Sequence, residues 1–310
     1  MKAEDKIYVA GHTGMVGSAI LRLLGERGYH NFLLESSSAL DLRKQQEVHD
    51  WFDTNRPKFV FLAAARVGGI LTNKENPATF IYDNLMIQTN VIHAAYKSGV
   101  EKILFLGSSC IYPKLAKQPI HESSLLKGQL EETNRAYAIA KIAGIEMCQS
   151  YHEQYGWRAI SVMPCNLYGY NDNYDLATSH VLPALVRKFI EAKAEKKNEV
   201  VLWGTGSPLR EFLHVDDLAE ACLFLMDNYE DSDVVNVGSG KEISIKELAL
   251  MIKELVGYDG NIVHDLDKPD GTPRKLMDSS RLNNLGWNPK ISLQKGLEEV
   301  IKDYETRIMI

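Results

Sequence analysis

Tyr137 and Lys141 lie four positions apart in the stretch NRAYAIAKIAG, a spacing that places both side chains on one face of a helix. A nearby ammonium lowers the pKa of a phenol, and such a phenol can exchange a proton with a carbonyl oxygen while hydride moves. A YxxxK pattern often occurs by chance. However, Ser108 stands about 30 residues earlier, at the end of a predicted strand, where its hydroxyl could bind the same oxygen. Together the three residues predict a dehydrogenase or reductase site.

The stretch YVAGHTGMVGSAI places Gly11, Gly14 and Gly17 in a GxxGxxG spacing. By itself this pattern is weak, and a tight strand-to-helix turn would also explain it. Here the glycines directly follow the first predicted strand and open a helix, where a pyrophosphate can approach backbone N–H groups. The stretch therefore predicts a dinucleotide site.

Glu35 follows the second predicted strand and precedes three serines. The end of this strand should lie near the adenosine ribose, where a carboxylate accepts hydrogen bonds from ribose hydroxyls and repels a 2′-phosphate. A solvated loop glutamate is the alternative interpretation. On this residue alone, the sequence favours NAD over NADP.

A second pair of candidate residues carries a thiol and an imidazole. Cys110 lies two residues after Ser108 in LFLGSSCIYP, and His180 precedes a predicted helix in ATSHVLPAL. Either residue alone would more often be structural, since a buried cysteine usually acts as a small apolar side chain. Together they could remove and return protons at carbons beside a carbonyl, because both groups can titrate near neutral pH. The pair predicts inversion of carbon centres next to a ketone.

The elements that must position these residues alternate between apolar strands and amphipathic helices. Strands are predicted at 6–10, 31–34, 59–62, 102–106 and 159–163, with helices at 15–27, 46–54, 77–98 and 136–155. This order is typical of a parallel sheet covered by helices on both faces, which binds ligands at the carboxyl ends of its strands. We therefore predict an α/β fold with a Rossmann-type, doubly wound parallel sheet over residues 1–167.

After residue 167 the alternation becomes less regular. Helices are predicted at 181–194, 215–227 and 245–256, and short strands at 200–202 and 234–237. No linker separates this part from the first. Residues 168–310 are predicted to form a smaller, mixed α/β substrate lobe, with some chain returning to the first domain.

The bulk composition limits the classes of function. The chain has 310 residues, 45% hydrophobic and 25% charged, with a formal net charge of −6, which fits a globular enzyme better than a nucleic-acid-binding protein. No apolar run reaches the ~18 residues of a membrane span, and the N-terminus lacks the pattern of a signal peptide. The four cysteines are dispersed without a CxxC pair, which argues against a metal site or a disulfide framework and favours a reducing cytoplasm.

Longer motifs extend the similarity beyond single residues. The stretches LAAARVGGI and REFLHVDDLAEA resemble the extended branch of the short-chain dehydrogenase/reductase superfamily, whose members mostly act on nucleotide sugars. The stretches AGHTGMVGSAI, LGSSCIYPKLAKQPI, YAIAKIAGI, NLYG, SHVLPAL, REFLHVDD and KPDGTPRKLMD resemble the GDP-L-fucose synthase family within that branch, over nearly the whole chain. This resemblance implies epimerisation of GDP-4-keto-6-deoxy-D-mannose at C3 and C5, followed by reduction of the C4 ketone with NADPH.

The resemblance also implies roles for particular residues. Ser108, Tyr137 and Lys141 would form the reductase group, and Cys110 and His180 the epimerisation pair. The dinucleotide would be bound by Gly11, His12, Thr13, Gly14, Met15, Val16, Gly17, Glu35, Asp41, Leu42, Leu62, Ala63, Ala64, Leu106, Gly107, Ser108, Tyr137, Lys141, Pro164, Cys165, Asn166, Leu167 and His180. The GDP-sugar would be bound by Ser109, Asn166, Lys188, Trp203, Arg210, Asp270 and Arg274, with either Arg187 or Lys188 reaching it. The family further suggests a homodimer through the helices at 77–98 and 136–155.

One departure from the family bears on the cofactor. Family members commonly use NADPH, and some place arginines around the glycine turn and after the second strand to bind the 2′-phosphate. This sequence has Thr13, Glu35 and Ser37 at those places, with only His12 and Arg43 nearby. The resemblance implies NADP(H), whereas Glu35 predicts that NAD(H) also serves.

Three other functions fit part of the pattern. A related GDP-keto-sugar epimerase/reductase, making GDP-L-colitose or acting on a GDP-heptose, would use the same acid, base and hydride chemistry. A redox-neutral nucleotide-sugar 4-epimerase with tightly bound NAD would not need Cys110 and His180 together. A non-catalytic dinucleotide-binding scaffold would need neither Tyr137 nor Lys141.

Overall fold

A computed structural model describes residues 1–268 and 270–308, so Pro269 of the KPDGTPRKLMD motif and residues 309–310 lie outside the described residues. The strands are β1 (Ile7–Ala10), β2 (Phe32–Leu33), β3 (Phe59–Leu62), β4 (Lys102–Leu106), β5 (Arg158–Pro164), β6 (Asn166–Tyr168), β7 (Glu199–Trp203), β8 (Leu209–His214), β9 (Val235–Val237), β10 (Glu242–Ser244), β11 (Asn261–Asp265) and β12 (Arg274–Lys275). The α-helices are α1 (Met15–Glu26), α2 (Gln45–Asn55), α3 (Ile70–Glu75), α4 (Pro77–Lys97), α5 (Arg135–Tyr155), α6 (Val181–Ala194), α7 (Val215–Asn228), α8 (Ile245–Val256), α9 (Ser280–Asn284) and α10 (Leu293–Ile308).

The main sheet has six parallel strands in the order β2-β1-β3-β4-β5-β9. Strands β1, β3 and β4 are buried along their whole length, as expected of strands covered on both faces. Helix α1 packs against α7, whereas α4 packs against both α2 and α5. Right-handed crossovers place these two groups of helices on opposite faces of the sheet. The predicted α/β fold with a doubly wound parallel sheet is confirmed.

The register of the sheet brings the functional loops to one edge. Ala10 at the end of β1 pairs with Leu62 at the end of β3, and β4 ends beside β5 with Leu106 opposite Val162. Because all these strands are parallel, the residues that follow them leave the sheet at the same edge. That edge carries the glycine-rich turn, the Ser108 turn and the Cys165–Asn166 segment that follows β5.

The second half of the chain builds smaller sheets and a separate hydrophobic core. Strand β8 pairs with β10, β12 and β6, and β7 pairs with β11. Helix α8 packs against both α6 and α10, and the core beneath them contains Phe189, Leu248 and Leu297. The chain also returns to the first half, because β9 joins the main sheet and α7 packs on α1. The division at residues 167 and 168 stays a prediction. No helix within the described ranges has both the length and the apolar character needed to cross a membrane.

Candidate active site

The glycine-rich turn between β1 and α1 requires glycine at two positions. Gly11 has a φ of +83°, and a Cβ on Gly17 would overlap the carbonyl group of Gly11. Gly14 caps α1 without a side chain, and the first turn of α1 carries no acidic residue. The N-terminal amides of α1 are therefore available to an anion such as a pyrophosphate. The buried Nδ1 of His12 has no partner within the described residues, which adds a polar atom to this cradle.

The predicted ribose end of the site carries carboxylates whose partners are fixed. Glu35 accepts a hydrogen bond from the indole Nε1 of Trp51 on α2 at 3.0 Å. Arg43 donates through Nε and Nη2 to Asp41 at 2.9 Å and pairs with Asp83 at 3.2 Å. The Arg43 guanidinium lowers the pKa of Asp41 to about 2, so this pair stays charged. Arg43 is thus engaged by two carboxylates rather than directed at Glu35.

The remaining predicted dinucleotide residues form the walls of the cleft. Ala63 donates its N–H to the carbonyl of Ala10, and Gly107 donates to the carbonyl of Val162, so both turns are fixed to neighbouring strands. The side chain of Asn90 on α4 donates to the carbonyl of Leu42. The other predicted dinucleotide residues lie at the start of α1 or at the ends of strands. They are Thr13, Met15, Val16, Leu62, Ala64, Leu106, Pro164, Cys165, Asn166 and Leu167.

Ser108, Tyr137 and Lys141 meet at the end of β4. Ser108 opens the one-turn 3₁₀ helix Ser109–Ile111, and its hydroxyl lies close enough to the phenol of Tyr137 on α5 to act on the pKa of that phenol. One turn further along α5, the ammonium of Lys141 donates to the carbonyl oxygen of Leu106 at 2.6 Å. The lysine Nζ lies 5.9 Å from the centre of the Tyr137 ring. The structure therefore assembles all three predicted reductase residues on adjoining elements.

The pKa of Tyr137 differs from the sequence-based expectation. Burial raises it above the ordinary range and the nearby Cys110 adds to this rise, whereas the neighbouring Ser108 hydroxyl opposes it. The expected lowering by Lys141 is wrong for this structure, because burial dominates and the ammonium is directed at a backbone carbonyl. Burial also lowers the pKa of Lys141 to about 8. A phenol that remains protonated at neutral pH suits a proton donor.

Cys110 lies in the turn that Ser108 opens, and its backbone N–H is 3.4 Å from the Ser108 Oγ. Cys110 is buried, with 7% of its surface exposed, and the neighbouring Ser109 is buried as well. Burial raises the pKa of the thiol, whereas Lys275, Ser108 and Lys141 lower it. The thiol is therefore protonated at neutral pH, and its ionisation depends on the cations around it.

His180 precedes α6 and is exposed to the cleft. The surrounding protein and the charge of Lys275 lower its pKa, so the imidazole is neutral at pH 7. The loop that carries His180 contacts the loop after β3, because Gly69 donates its N–H to the carbonyl of Thr178 at 2.9 Å. A Cβ on Gly69 would lie 2.8 Å from the carbonyl oxygen of Ser179, so this approach requires glycine. The position of His180 thus depends on the loop after β3.

Three predicted substrate residues present charged or aromatic groups, and two of them, Lys188 and Trp203, lie together. Lys188 on α6 donates to the carbonyl of Val201, and its Nζ lies 5.3 Å from the centre of the Trp203 ring. Trp203 is 45% exposed. Arg210 on β8 is half-buried and donates to the backbone carbonyls of Leu209 and Thr272. Cations bound to carbonyls rather than carboxylates keep a net positive charge, which suits a diphosphate.

The other predicted substrate residues are held by partners within the protein. Arg187 pairs with Glu191 at 2.7 Å and donates to the carbonyl of Tyr174, so it lies away from Trp203. Asp270 accepts hydrogen bonds from the backbone and hydroxyl of Thr205. Arg274 forms a two-point ion pair with Glu242 at the surface. Asn166 donates its side-chain amide to the carbonyl of Glu211, which fixes the start of β6 to β8.

Sequence analysis missed Lys275, whose charge acts on both Cys110 and His180. The residue lies directly after Arg274, and in a strand these two neighbours must point to opposite faces. The sequence KPDGTPRKLMD could have indicated this role of Lys275, but only if Arg274 and Lys275 had been recognised as a strand. Within residues 1–268 and 270–308, no group of three or more His, Cys, Asp or Glu side chains could hold a metal ion.

A glycine-rich turn, a doubly wound parallel sheet and a serine–tyrosine–lysine group define a nicotinamide-dependent enzyme of the short-chain dehydrogenase/reductase class. Residues 7–238 match the NAD dependent epimerase/dehydratase family, and the chain belongs to this family.

Curated relatives match almost the whole chain. "Putative GDP-L-fucose synthase 2" of Arabidopsis thaliana is 63% identical over 304 residues, which is 98% of this chain and 93% of the relative. "GDP-L-fucose synthase" of Escherichia coli is 53% identical over 304 residues, or 95% of each chain.

Solved structures of similar proteins have the same fold. A GDP-6-OMe-4-keto-L-xylo-heptose reductase from C. jejuni superposes with a TM-score of 0.95 at 39% identity, covering 99% of both chains. A GDP-L-fucose synthetase from Naegleria fowleri bound to NADP superposes with a TM-score of 0.92 at 29% identity, covering 100% of this chain and 95% of that one.

Proposed function

We propose that this protein converts GDP-4-keto-6-deoxy-D-mannose to GDP-L-fucose, by epimerisation at C3 and C5 followed by reduction of the C4 ketone. The observation that carries the proposal is a thiol and an imidazole beside a reductase group. Cys110 shares its turn with Ser108, and the charge of Lys275 reaches both Cys110 and His180. A simple reductase or a redox-neutral 4-epimerase needs only Ser108, Tyr137 and Lys141. Relatives that are 63% and 53% identical to this chain carry the name GDP-L-fucose synthase, which agrees with this choice.

In the epimerisation, Ser108 and Tyr137 hydrogen-bond the C4 oxygen and stabilise the enolate that forms when a neighbouring carbon loses its proton. Cys110 removes that proton as its thiolate, and His180 returns one from the opposite face of the ring. The same exchange occurs at C3 and at C5. Because both groups are uncharged at neutral pH, the reaction requires Cys110 to lose its proton and His180 to gain one before the exchange begins.

In the reduction, the dinucleotide supplies the hydride to C4 when it is bound. Tyr137 gives its proton to the C4 oxygen, a role that suits a phenol whose pKa is raised by burial. Lys141 would hold the nicotinamide ribose. Gly11, Gly14 and Gly17 would leave room for the pyrophosphate at the N-terminus of α1, where no side chain competes for the amides.

The chain uses a nicotinamide dinucleotide. We propose that this cofactor is NADP(H) and that the enzyme also accepts NAD(H) unusually well. The solved relative from N. fowleri binds NADP. In this chain, however, Glu35 is held by Trp51 where a 2′-phosphate would approach, and Arg43 is engaged by Asp41 and Asp83. A fixed carboxylate without a free cation weakens the preference for the phosphorylated dinucleotide.

We further propose a homodimer formed through α4 and α5. These helices pack against each other and expose Tyr82, Ile139 and Tyr155, large side chains that a second copy could cover. A monomeric mass by light scattering at micromolar protein would contradict this interface. The four cysteines are all free thiols, which supports a reducing cytoplasmic location.

The function is tested by following nicotinamide absorbance with GDP-4-keto-6-deoxy-D-mannose, using NADPH and NADH in parallel, and reading the product by NMR. We expect cofactor consumption with GDP-L-fucose as product. Absence of consumption, in protein shown to bind the dinucleotide, would contradict the proposal.

A GDP-heptose epimerase/reductase is the second candidate, favoured by the close superposition of the C. jejuni heptose reductase. The same assay with a GDP-4-keto-heptose distinguishes it, because the preferred sugar should give the higher kcat/KM.

A further inference from the structure

Lys275 lies beside the reacting groups. It forms β12 with Arg274, and the register with β8 places Lys275 opposite Arg210. Arg274 pairs with Glu242, and adjacent residues of a strand direct their side chains to opposite faces, so the Lys275 side chain faces away from that ion pair. Lys275 and Cys110 line the same cavity of about 50 Å³, and Arg274 lies at this cavity as well. The strand therefore delivers an ammonium group to the wall that holds the thiol.

The charged groups that face Lys275 come from several elements. Arg210 on β8 carries a positive charge, and Cys110 and Cys165 are thiols at the ends of β4 and β5. Glu131 faces Lys275 as well, but its carboxylate pairs with Lys114 at 2.9 Å. The ammonium of Lys275 itself forms no hydrogen bond or ion pair with any residue in the described ranges.

An ammonium group away from bulk water and without a paired carboxylate favours the formation of a nearby anion. Cys110 can become that anion, since its thiol faces Lys275, Lys141 and the Ser108 hydroxyl. Lys275 lowers the pKa of the thiol more than these other groups do. Lys141 already donates a hydrogen bond to the carbonyl of Leu106. Of the two lysines, Lys275 is therefore the one without a hydrogen-bond partner in the described residues.

We propose that Lys275 is a positioning residue whose fixed charge stabilises the thiolate of Cys110, an inference that rests on the epimerisation proposed above. When Cys110 acts, the proton of the sugar carbon moves to Sγ, and the C–H electron pair enters the enolate. Burial lowers the pKa of Lys275, whereas an anion on Cys110 raises it, so the thiolate and the ammonium stabilise each other and Lys275 keeps its proton while Cys110 acts. The same charge makes the protonated form of His180 a stronger acid, because it lowers the pKa of the imidazolium.

The test titrates the thiol in the full-length protein without any sugar. The pH dependence of iodoacetamide alkylation is measured for the unaltered protein, Lys275→Met, Lys275→Arg and Arg274→Met, with Cys110→Ser giving the background. We expect Cys110 of Lys275→Met to titrate at a pH about one unit higher, since an opposite charge nearby shifts a pKa by about 1–3 units. Lys275→Arg retains the positive charge, so its Cys110 should titrate as in the unaltered protein. Arg274→Met removes a cation that is already paired with Glu242, so it should shift the titration much less than Lys275→Met does.

The inference is overturned if the thiol of a folded Lys275→Met titrates as in the unaltered protein. A rise in KM for the GDP-sugar without a change in the titration would overturn it in favour of a diphosphate-binding role. Folding of Lys275→Met is checked by circular dichroism, and Lys275→Arg supplies a variant that retains the charge. A shifted thiol titration in a protein that never produces GDP-L-fucose would support the role of Lys275 and contradict the proposed function, so the two failures are distinguishable.

Discussion

The dinucleotide end and the sugar end of the cleft are built in different ways. At the dinucleotide end, short contiguous stretches follow β1, β3 and β4, and backbone hydrogen bonds fix their turns to neighbouring strands. At the sugar end, single side chains such as Lys188, Arg210 and Lys275 come from α6, β8 and β12. Backbone geometry serves a ligand that is the same throughout a family, whereas dispersed side chains allow the sugar and its chemistry to vary.

The largest expected effect separates the two reactions at the reductase group. Tyr137→Phe removes the proton donor to the C4 oxygen but keeps the ring that packs in the site. We expect the rate of cofactor oxidation to fall by about 10²–10⁴-fold. Exchange of deuterium from solvent into C3 and C5 should persist in this variant, as read by NMR. If Tyr137→Phe lost both deuterium exchange and reduction completely, the two reactions would not use separate groups.

The next effect tests the epimerisation pair. Cys110→Ser replaces the thiol by a much weaker acid, so deuterium exchange should fall by about 10²-fold or more. Dinucleotide affinity, measured by fluorescence titration, should be unchanged because Cys110 lies at the sugar end. In the unaltered protein, exchange should speed up as the pH rises through the thiol pKa, which burial holds above its ordinary value. Unchanged exchange in Cys110→Ser would remove the thiol from the mechanism.

A smaller effect concerns the adjacent residues Arg187 and Lys188. Lys188→Met should raise KM for the GDP-sugar by about 10- to 100-fold, the range for losing one hydrogen bond to a charged group. Arg187→Met removes the same charge one residue away, where the side chain pairs with Glu191, and should change KM by about twofold or less. Steady-state kinetics at saturating cofactor provides the comparison. The reverse pattern would assign the substrate to Arg187.

The smallest effect concerns cofactor choice at the other end of the cleft. Glu35→Ser removes the carboxylate that Trp51 holds, so kcat/KM with NADPH should rise about tenfold relative to that with NADH. Glu26→Ser, which removes a charge from the exposed end of α1, is the control and should leave the ratio unchanged. A strong preference for NADPH in the unaltered protein would show that Glu35 does not face the ribose.

The sequence predicted the dinucleotide end better than the sugar end for a physical reason. Strands β3 and β4 and helices α4 and α5 carry long apolar patterns that identify them locally. Strands β6 and β12 contain three and two residues, and their pairing with β8 joins segments distant in the chain. No periodicity can reveal such a pair, so the inward direction of Lys275 was not predicted. The pKa of Tyr137 was also missed, because its sign depends on burial rather than on the spacing to Lys141.

The most direct test of the account is one reaction carried out in D₂O. The protein, GDP-4-keto-6-deoxy-D-mannose and NADH or NADPH are incubated together, and the product is examined by NMR and mass spectrometry. The account predicts GDP-L-fucose carrying deuterium at both C3 and C5, with hydride from the dinucleotide at C4. A reduced product without deuterium at C3 and C5 would contradict it, because Cys110 and His180 would then have no role in the reaction.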